Sequence, residues 1–178
     1  MDIDPAEIRA VVDREAIRDA ILRYTRGLDR EDEELLLRAF HEDGRDDHGT
    51  FIGRFLDFPR RKSRTNRRWK VFQHYVTNHS IDLAGDEAHV ETYFLAVLKR
   101  ADGVIDLTGG RYADRLERRA GRWAIVDRVV IVEWAGGLPP GGASTVPEGL
   151  FMASAHDRSD PTYQRPLKVT RAFRDEEA

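Results

Sequence analysis

The chain has 178 residues and no cysteine. That excludes disulfides, thiolate nucleophiles, zinc–thiolate sites and iron–sulfur clusters. It has no long apolar run, so no segment reads as a membrane span and no membrane partner is expected. It has no excess of one charge. Against 29 Lys and Arg stand 32 Asp and Glu, for a formal net charge of −3 and a pI of about 6.1. No global field therefore favours nucleic acid. Gly136-Gly137-Leu138-Pro139-Pro140-Gly141-Gly142 is rich in glycine but lacks the lysine and hydroxyl of a phosphate-binding loop, and it reads as a plain loop. Met1-Asp2-Ile3-Asp4 offers neither a basic n-region nor an apolar h-region. No signal peptide is read there, and the cytoplasm is the expected address.

What is present suits one globular domain: 40% of residues are hydrophobic and 34% charged. Asp4, Pro5 and Glu7 read as an N-cap, a first-turn proline and a capping-box acid. Ile8, Val11, Val12, Ala16, Ala20, Ile21, Tyr24 and Leu28 then recur at threes and fours, the period of a helix. Asp32 caps a second helix carrying Leu35, Leu36, Leu37 and Phe40, which His41-Glu42-Asp43-Gly44 ends. Arg45 to Gly53 reads as a short strand with a turn. Residues 60–70 carry seven basic side chains around Trp69. That patch is too short for nucleic acid and reads as a solvated segment over the mouth of the fold. Gln73 to Leu83 is rich in β-branched and aromatic residues, as are three further runs at His89–Arg100, Val104–Arg119 and Gly121–Trp134. Turn residues separate them, so they form an antiparallel meander. Gly109-Gly110 predicts a bend. Helices followed by hairpins indicate an α+β fold, with N-terminal helices packed on a cone-shaped, curved antiparallel sheet enclosing a pocket. The domain is expected to span 1–143. Residues 144–178 form an extension expected to pack on the domain or on a neighbouring subunit, with a frayed end.

Side chains alternate along a strand, which predicts His74, Val76 and Asn78 on one face and Tyr75, Thr77 and His79 on the other. If one face is a pocket, one histidine works in it, and His74 is the candidate. Tyr24 lies on the inward stripe of the first helix. Asp29 lies near that helix's C-terminus, where the macrodipole disfavours a carboxylate. It is either a solvated residue of a charged turn or held there for another purpose. Adjacent residues of Asp46-Asp47-His48 point to opposite faces and do not chelate together, so no metal is expected. His48 faces the pocket mouth or stabilises a turn. Phe72, Tyr93 and Tyr112 line the pocket or fill it.

Tyr24-x4-Asp29, Phe40-His41-x-Asp43, Asp47-His48-Gly49 and His74-Tyr75-x-Thr77-Asn78 follow one another along the chain. Gly109-Gly110-Arg111-Tyr112-x-Asp114, Glu117-Arg118-Arg119-x-Gly121-x-Trp123 and Arg128 come after them. This ordered set resembles the SnoaL-like branch of the nuclear-transport-factor-2-like superfamily, from about Asp13 to Trp134. The resemblance implies a cone with a deep apolar pocket. It also implies cofactor-free chemistry, since this branch includes dehydratases and a dehydrochlorinase that work as lyases through an Asp–His pair. Carried over residue by residue, it makes His74 the base, Asp29 its carboxylate, Arg128 the cation at the leaving group and Tyr24 a hydrogen-bond donor. An imidazole suits proton abstraction from carbon near neutral pH. A carboxylate on its second nitrogen fixes the tautomer and stabilises the imidazolium.

The function expected is a cofactor-independent lyase or isomerase acting on a small hydrophobic or polycyclic molecule. The same fold also serves as a ligand-binding module, or as the structural β subunit of ring-hydroxylating dioxygenases. Tyr75, Thr77 and Ile81 on the outer face predict a homo-oligomer, trimer or dimer.

Overall fold

In a computed structural model, residues 4–57, 68–140, 152 and 155–171 are described. Of the basic segment expected to be solvated over residues 60–70, 60–67 lie outside them, whereas Trp69 and Lys70 open a strand; the glycine loop beyond 140 and the last seven residues also lie outside.

The first helix, α1 (Pro5–Asp29), starts at Asp4, whose side chain accepts from the Ala6 amide, with Pro5 in the first turn. Ile17, Ala20, Ile21 and Tyr24 form its buried stripe. The second helix, α2, is shorter than the leucine run predicts and covers Glu33–Leu37. Asp32 caps it by accepting from the Leu35 amide. Gly27 lets the two helices touch, since a Cβ there would come within 2.8 Å of the Leu36 backbone. Phe40 and His41 are not helical. They open strand β1 (Phe40–Asp47), which returns through His48–Phe51 into β2 (Ile52–Arg54). The apolar residues of this stretch follow the strand's partners instead of continuing the helix: the Ile125 amide donates to the Ala39 carbonyl, and Phe40 pairs with Ile125.

The meander follows as β3 (Trp69–Ala84), β4 (Glu87–Arg100), β5 (Ile105–Arg119) and β6 (Arg122–Leu138). The sheet order is β2-β1-β6-β5-β4-β3. It is mixed, because β1 runs parallel to β6. The antiparallel expectation therefore holds for the meander and the β1–β2 hairpin, not for the whole sheet. Residues 136–138, expected in a loop, extend β6 along Ile105–Leu107. The Gly109-Gly110 bend is present as a register shift against β6. A Cβ at Gly109 would overlap the Trp134 indole and one at Gly110 would overlap the Ile131 carbonyl, so both positions need glycine to let β6 cross so closely.

A second register shift decides which side chains face inward. Val76 pairs with Phe94, but His79 pairs with Thr92, so β3 carries one extra residue at Thr77-Asn78. Thr77 and Asn78 are both exposed, and from His79 onward the alternation is reversed. His79 therefore faces the same side as His74, against the simple alternation. Ile81, expected outside, packs on the core beside Leu83. Tyr75 does stand exposed.

Part of the stretch 155–171 lies against the start of α2 and against β3. Tyr163 donates to Asp32 at 2.7 Å, Arg158 to Glu34 at 2.9 Å, and the His156 ring meets Phe72 edge-on. No helix of the described residues is long and apolar enough to cross a membrane.

Candidate functional site

Asp29 is the last residue of α1, and His74 sits on β3, an edge strand of the sheet. An edge strand has backbone groups without a neighbouring strand to pair them. Asp29 meets that need and more. Its Oδ2 accepts the His74 backbone amide at 3.0 Å, and its Oδ1 contacts His74 Nδ1 at 2.6 Å. One carboxylate thus grips both the main chain and the ring of the same residue. An ionised carboxylate only accepts, so the ring proton lies on Nδ1 and Nε2 carries the lone pair. The helix-end position of Asp29 therefore resolves toward a bound carboxylate, not a solvated turn.

His74 borders a cavity of about 200 Å³ on the core-facing side of the sheet. Phe94, Ala96 and Leu98 of β4, Thr108 and Tyr112 of β5, and Val130 and Val132 of β6 supply its walls. His48 and Gly49 close it from the β1–β2 turn. The two histidines border it at opposite ends, since β1, which leads into the His48 turn, and β3 are separated by β6, β5 and β4.

Behind these walls lies a buried polar cluster. Arg128 is fully enclosed and makes a two-pronged pair with Asp114, at 2.7 and 2.6 Å. Its guanidinium packs against the rings of both Tyr24 and Tyr112, 4.1 and 4.2 Å from their centres. Burial opposes charge on both ion-pair partners and leaves the Asp114 carboxyl above its usual range. For Arg128 the Asp114 carboxylate outweighs burial and lifts the guanidinium above its ordinary value. Arginine keeps its proton in proteins, so the pair is ionic. Burial likewise raises the Tyr24 and Tyr112 hydroxyls, which stay protonated near neutral pH. The Asp46 carboxylate is buried beside this cluster, cross-strand from Arg128. Among the described residues neither of its oxygens accepts a hydrogen bond, and its ion-pair contact is His48 Nδ1 at 3.3 Å. Tyr24 Oη lies 3.5 Å from the same nitrogen.

The structure thus brings Asp29 and His74 together and places His48 and Tyr112 on the cavity. It separates the other candidates from it. Tyr93 is exposed, because β4 turns Phe94 and Ala96 inward. Phe72 is buried but packs on Trp69 and His156 and does not border the cavity. Arg128 and Tyr24 lie one layer behind, so Arg128 does not present its charge to a leaving group on the cavity surface. His79 faces inward but meets Thr92 Oγ1 at 3.0 Å, with no carboxylate of the described residues on its ring. Burial lowers its pKa, with the Arg18 charge acting in the same direction. Asp46 was legible only in part: it lies on β1 and His48 follows two residues on, in the turn, the spacing that shares a face of extended chain, whereas Asp46-Asp47-His48 as adjacent residues suggests nothing. Among the described residues no group of three or more His, Asp or Glu is placed to hold a metal ion.

A SnoaL-like domain family matches residues 9–129. A type-2 hexachlorocyclohexane dehydrochlorinase is similar in structure with a TM-score of 0.70 at 18% identity, over 81% of this chain and 99% of that one. A scytalone dehydratase-like protein from Novosphingobium aromaticivorans gives 0.66 at 21%, over 80% and 97%. A Nostoc punctiforme protein of unknown function with a cystatin-like fold gives 0.59 at 23%, over 68% and 92%. At these identities the likeness is one of fold. No curated protein matches the chain by sequence.

Proposed function

The chain belongs to the SnoaL-like domain family, and from that premise we propose that it is a cofactor-independent lyase or isomerase whose base is His74. The observation that carries this reading is the Asp29–His74 contact at 2.6 Å beside an apolar cavity. Asp29 holds the ring by its Nδ1 proton and leaves the Nε2 lone pair as the proton acceptor. As Nε2 takes a proton from carbon, the carboxylate stabilises the positive ring. Apolar walls exclude water and strengthen that attraction. General-base assistance of this kind contributes about 10²–10⁴-fold.

Arg128 and Tyr24 act here as positioning residues. The Arg128–Asp114 pair fixes the Tyr112 ring that forms part of the wall. The cavity of about 200 Å³ is smaller than the roughly 300–1,000 Å³ of sites for drug-sized ligands. It suits a molecule of one ring better than a polycyclic one. The C–H bond broken must be activated, since imidazole does not deprotonate simple alkanes, and a neighbouring carbonyl is the simplest activation. Small cyclic ketones bearing a leaving group next to the acidic carbon are the first substrates to assay, with formation of the conjugated product followed by absorbance. Turnover by the wild type and its loss in His74→Ala supports the reading. Tight binding without turnover would instead identify a ligand-binding protein of the same fold.

A further inference from the structure

Three arginines meet where α1, the end of α2 and the start of β6 come together. Gly27 lets the two helices touch, and the Ile125 amide ties β6 to the Ala39 carbonyl just past α2. Arg23 Nη2 donates to the Trp123 carbonyl at 3.3 Å. Arg122 Nη1 donates to the carbonyls of Arg38 and Phe40 at 3.1 and 3.4 Å, and its Nη2 lies 3.3 Å from His41 Nδ1. The partners are carbonyls and an imidazole. Among the described residues no carboxylate lies within ion-pair reach of Arg23, Arg38 or Arg122. Other arginines of this region are paired: Arg9 with Asp13 at 3.1 Å, Arg18 with Glu15, and Arg30 with Asp160 at 3.9 Å. Arg23 bears the consequence most directly. It is half-buried, its Nε is enclosed without a partner, and among the described residues its Nη1 has none either. Burial lowers its pKa. Asp19 opposes that shift, and the like charges of Arg38 and Arg122 add to it. Burial lowers His41 as well, with Arg122 and Arg119 acting in the same direction. Two different groups thus sense one local positive field, in a chain whose net charge is −3. Cations gathered without counter-charges are stabilised when an anion joins them.

We infer that Arg23, Arg38 and Arg122 form a binding site for the phosphate group of a small soluble ester. Guanidinium forks match phosphate oxygens in pairs of parallel hydrogen bonds. Arg38 is exposed and offers its whole fork, and Arg23 offers Nη1. Arg122 is fixed by the two carbonyls and supplies charge beside them. A phosphate dianion offsets more of this charge than a carboxylate does, and it has oxygens enough to face all three side chains. Because Arg23 is half-buried, a free ester reaches it more readily than a headgroup held in the plane of a bilayer. None of the three arginines borders the cavity, so the site stands apart from the reading of His74 as base.

Inorganic phosphate is the probe. It is titrated by calorimetry into the full chain near neutral pH, with chloride adjusted to hold the ionic strength constant. Saturable binding is expected for the wild type. Arg38→Gln should weaken it about 10–100-fold, and Arg23→Gln by a similar factor. Arg38 is exposed and its side chain holds no described contact, so that variant keeps the test open if Arg23→Gln folds poorly. Arg45→Gln, at an exposed arginine on β1, should change binding by no more than a few-fold. No binding above the chloride reference, or equal losses in Arg38→Gln and Arg45→Gln, overturns the site. Acetate displacing phosphate at equal concentration overturns phosphate as the ligand class. Phosphatidylcholine vesicles carrying phosphatidic acid should not sediment the protein, and sedimentation that Arg38→Gln abolishes overturns the soluble source.

Discussion

The two halves of β3 each present a histidine to the inner side of the sheet, and the structure treats them differently. His74, before the Thr77-Asn78 bulge, has a carboxylate on its ring and a cavity beside it. His79, after it, has a threonine hydroxyl and the packed end of the core. Facing inward is therefore not what distinguishes a working histidine. The proposed role of His74 rests instead on its carboxylate partner and on the cavity beside it. The bulge that reverses the strand also separates these environments.

The largest effect expected from this contrast is on activity. With a turned-over ketone as probe, His74→Ala should lower kcat/KM by about 10²–10⁴-fold. His79→Ala should stay within a few-fold. Comparable losses in both would erase the distinction.

A stability effect comes next. The His79 half backs onto the buried Arg128–Asp114 pair, whose partners make no contact with the cavity. Arg128→Met leaves Asp114 buried and uncompensated and should cost about 3–5 kcal/mol in urea unfolding. Adding Asp114→Leu should recover most of that loss. A single variant as stable as the wild type would mean that the pair does not hold this side of the sheet together.

The smallest effect concerns pH. Burial lowers the pKa of His79 below its ordinary 6.5, with Arg18 adding to it. Burial also lowers His41, which rests beside Arg122 and Arg119 and whose Nε2 is 2.9 Å from the Glu117 carbonyl. Both are neutral in the folded state, while the unfolded chain takes up protons as pH falls below 6.5. Stability should therefore be flat above that pH and decline below it, through the lowered folded values. Urea midpoints at pH 7.5 and 5.5 measure the decline, and His79→Gln should flatten part of it. An unchanged slope in that variant would assign the decline elsewhere.

Much of this was legible before any coordinates. The caps at Asp4 and Asp32, the meander and the Gly109-Gly110 bend follow from local rules. The Asp29–His74 pairing came from an ordered resemblance, since 45 residues separate the two and no local pattern joins them. What escaped was parity. One extra residue in β3 put His79 and Ile81 inside, and nothing in Thr77-Asn78 announces a bulge as Gly109-Gly110 does. Tyr93 stands outside because β4 carries Val90, Thr92, Phe94 and Ala96 inward, an alternation of apolar and small residues in which a tyrosine fits either face. The parallel β1–β6 pairing depends on contacts between residues far apart in the chain.

The central claim is that Asp29 and His74 work as one unit. It is tested most directly by kcat/KM for His74→Ala, Asp29→Asn and the double variant on the same ketone. Because Asp29 has nothing to orient once His74 is gone, the account predicts a double variant no slower than His74→Ala alone. Losses that multiply would show two independent contributions, and a His74→Ala protein with wild-type turnover would contradict the account outright.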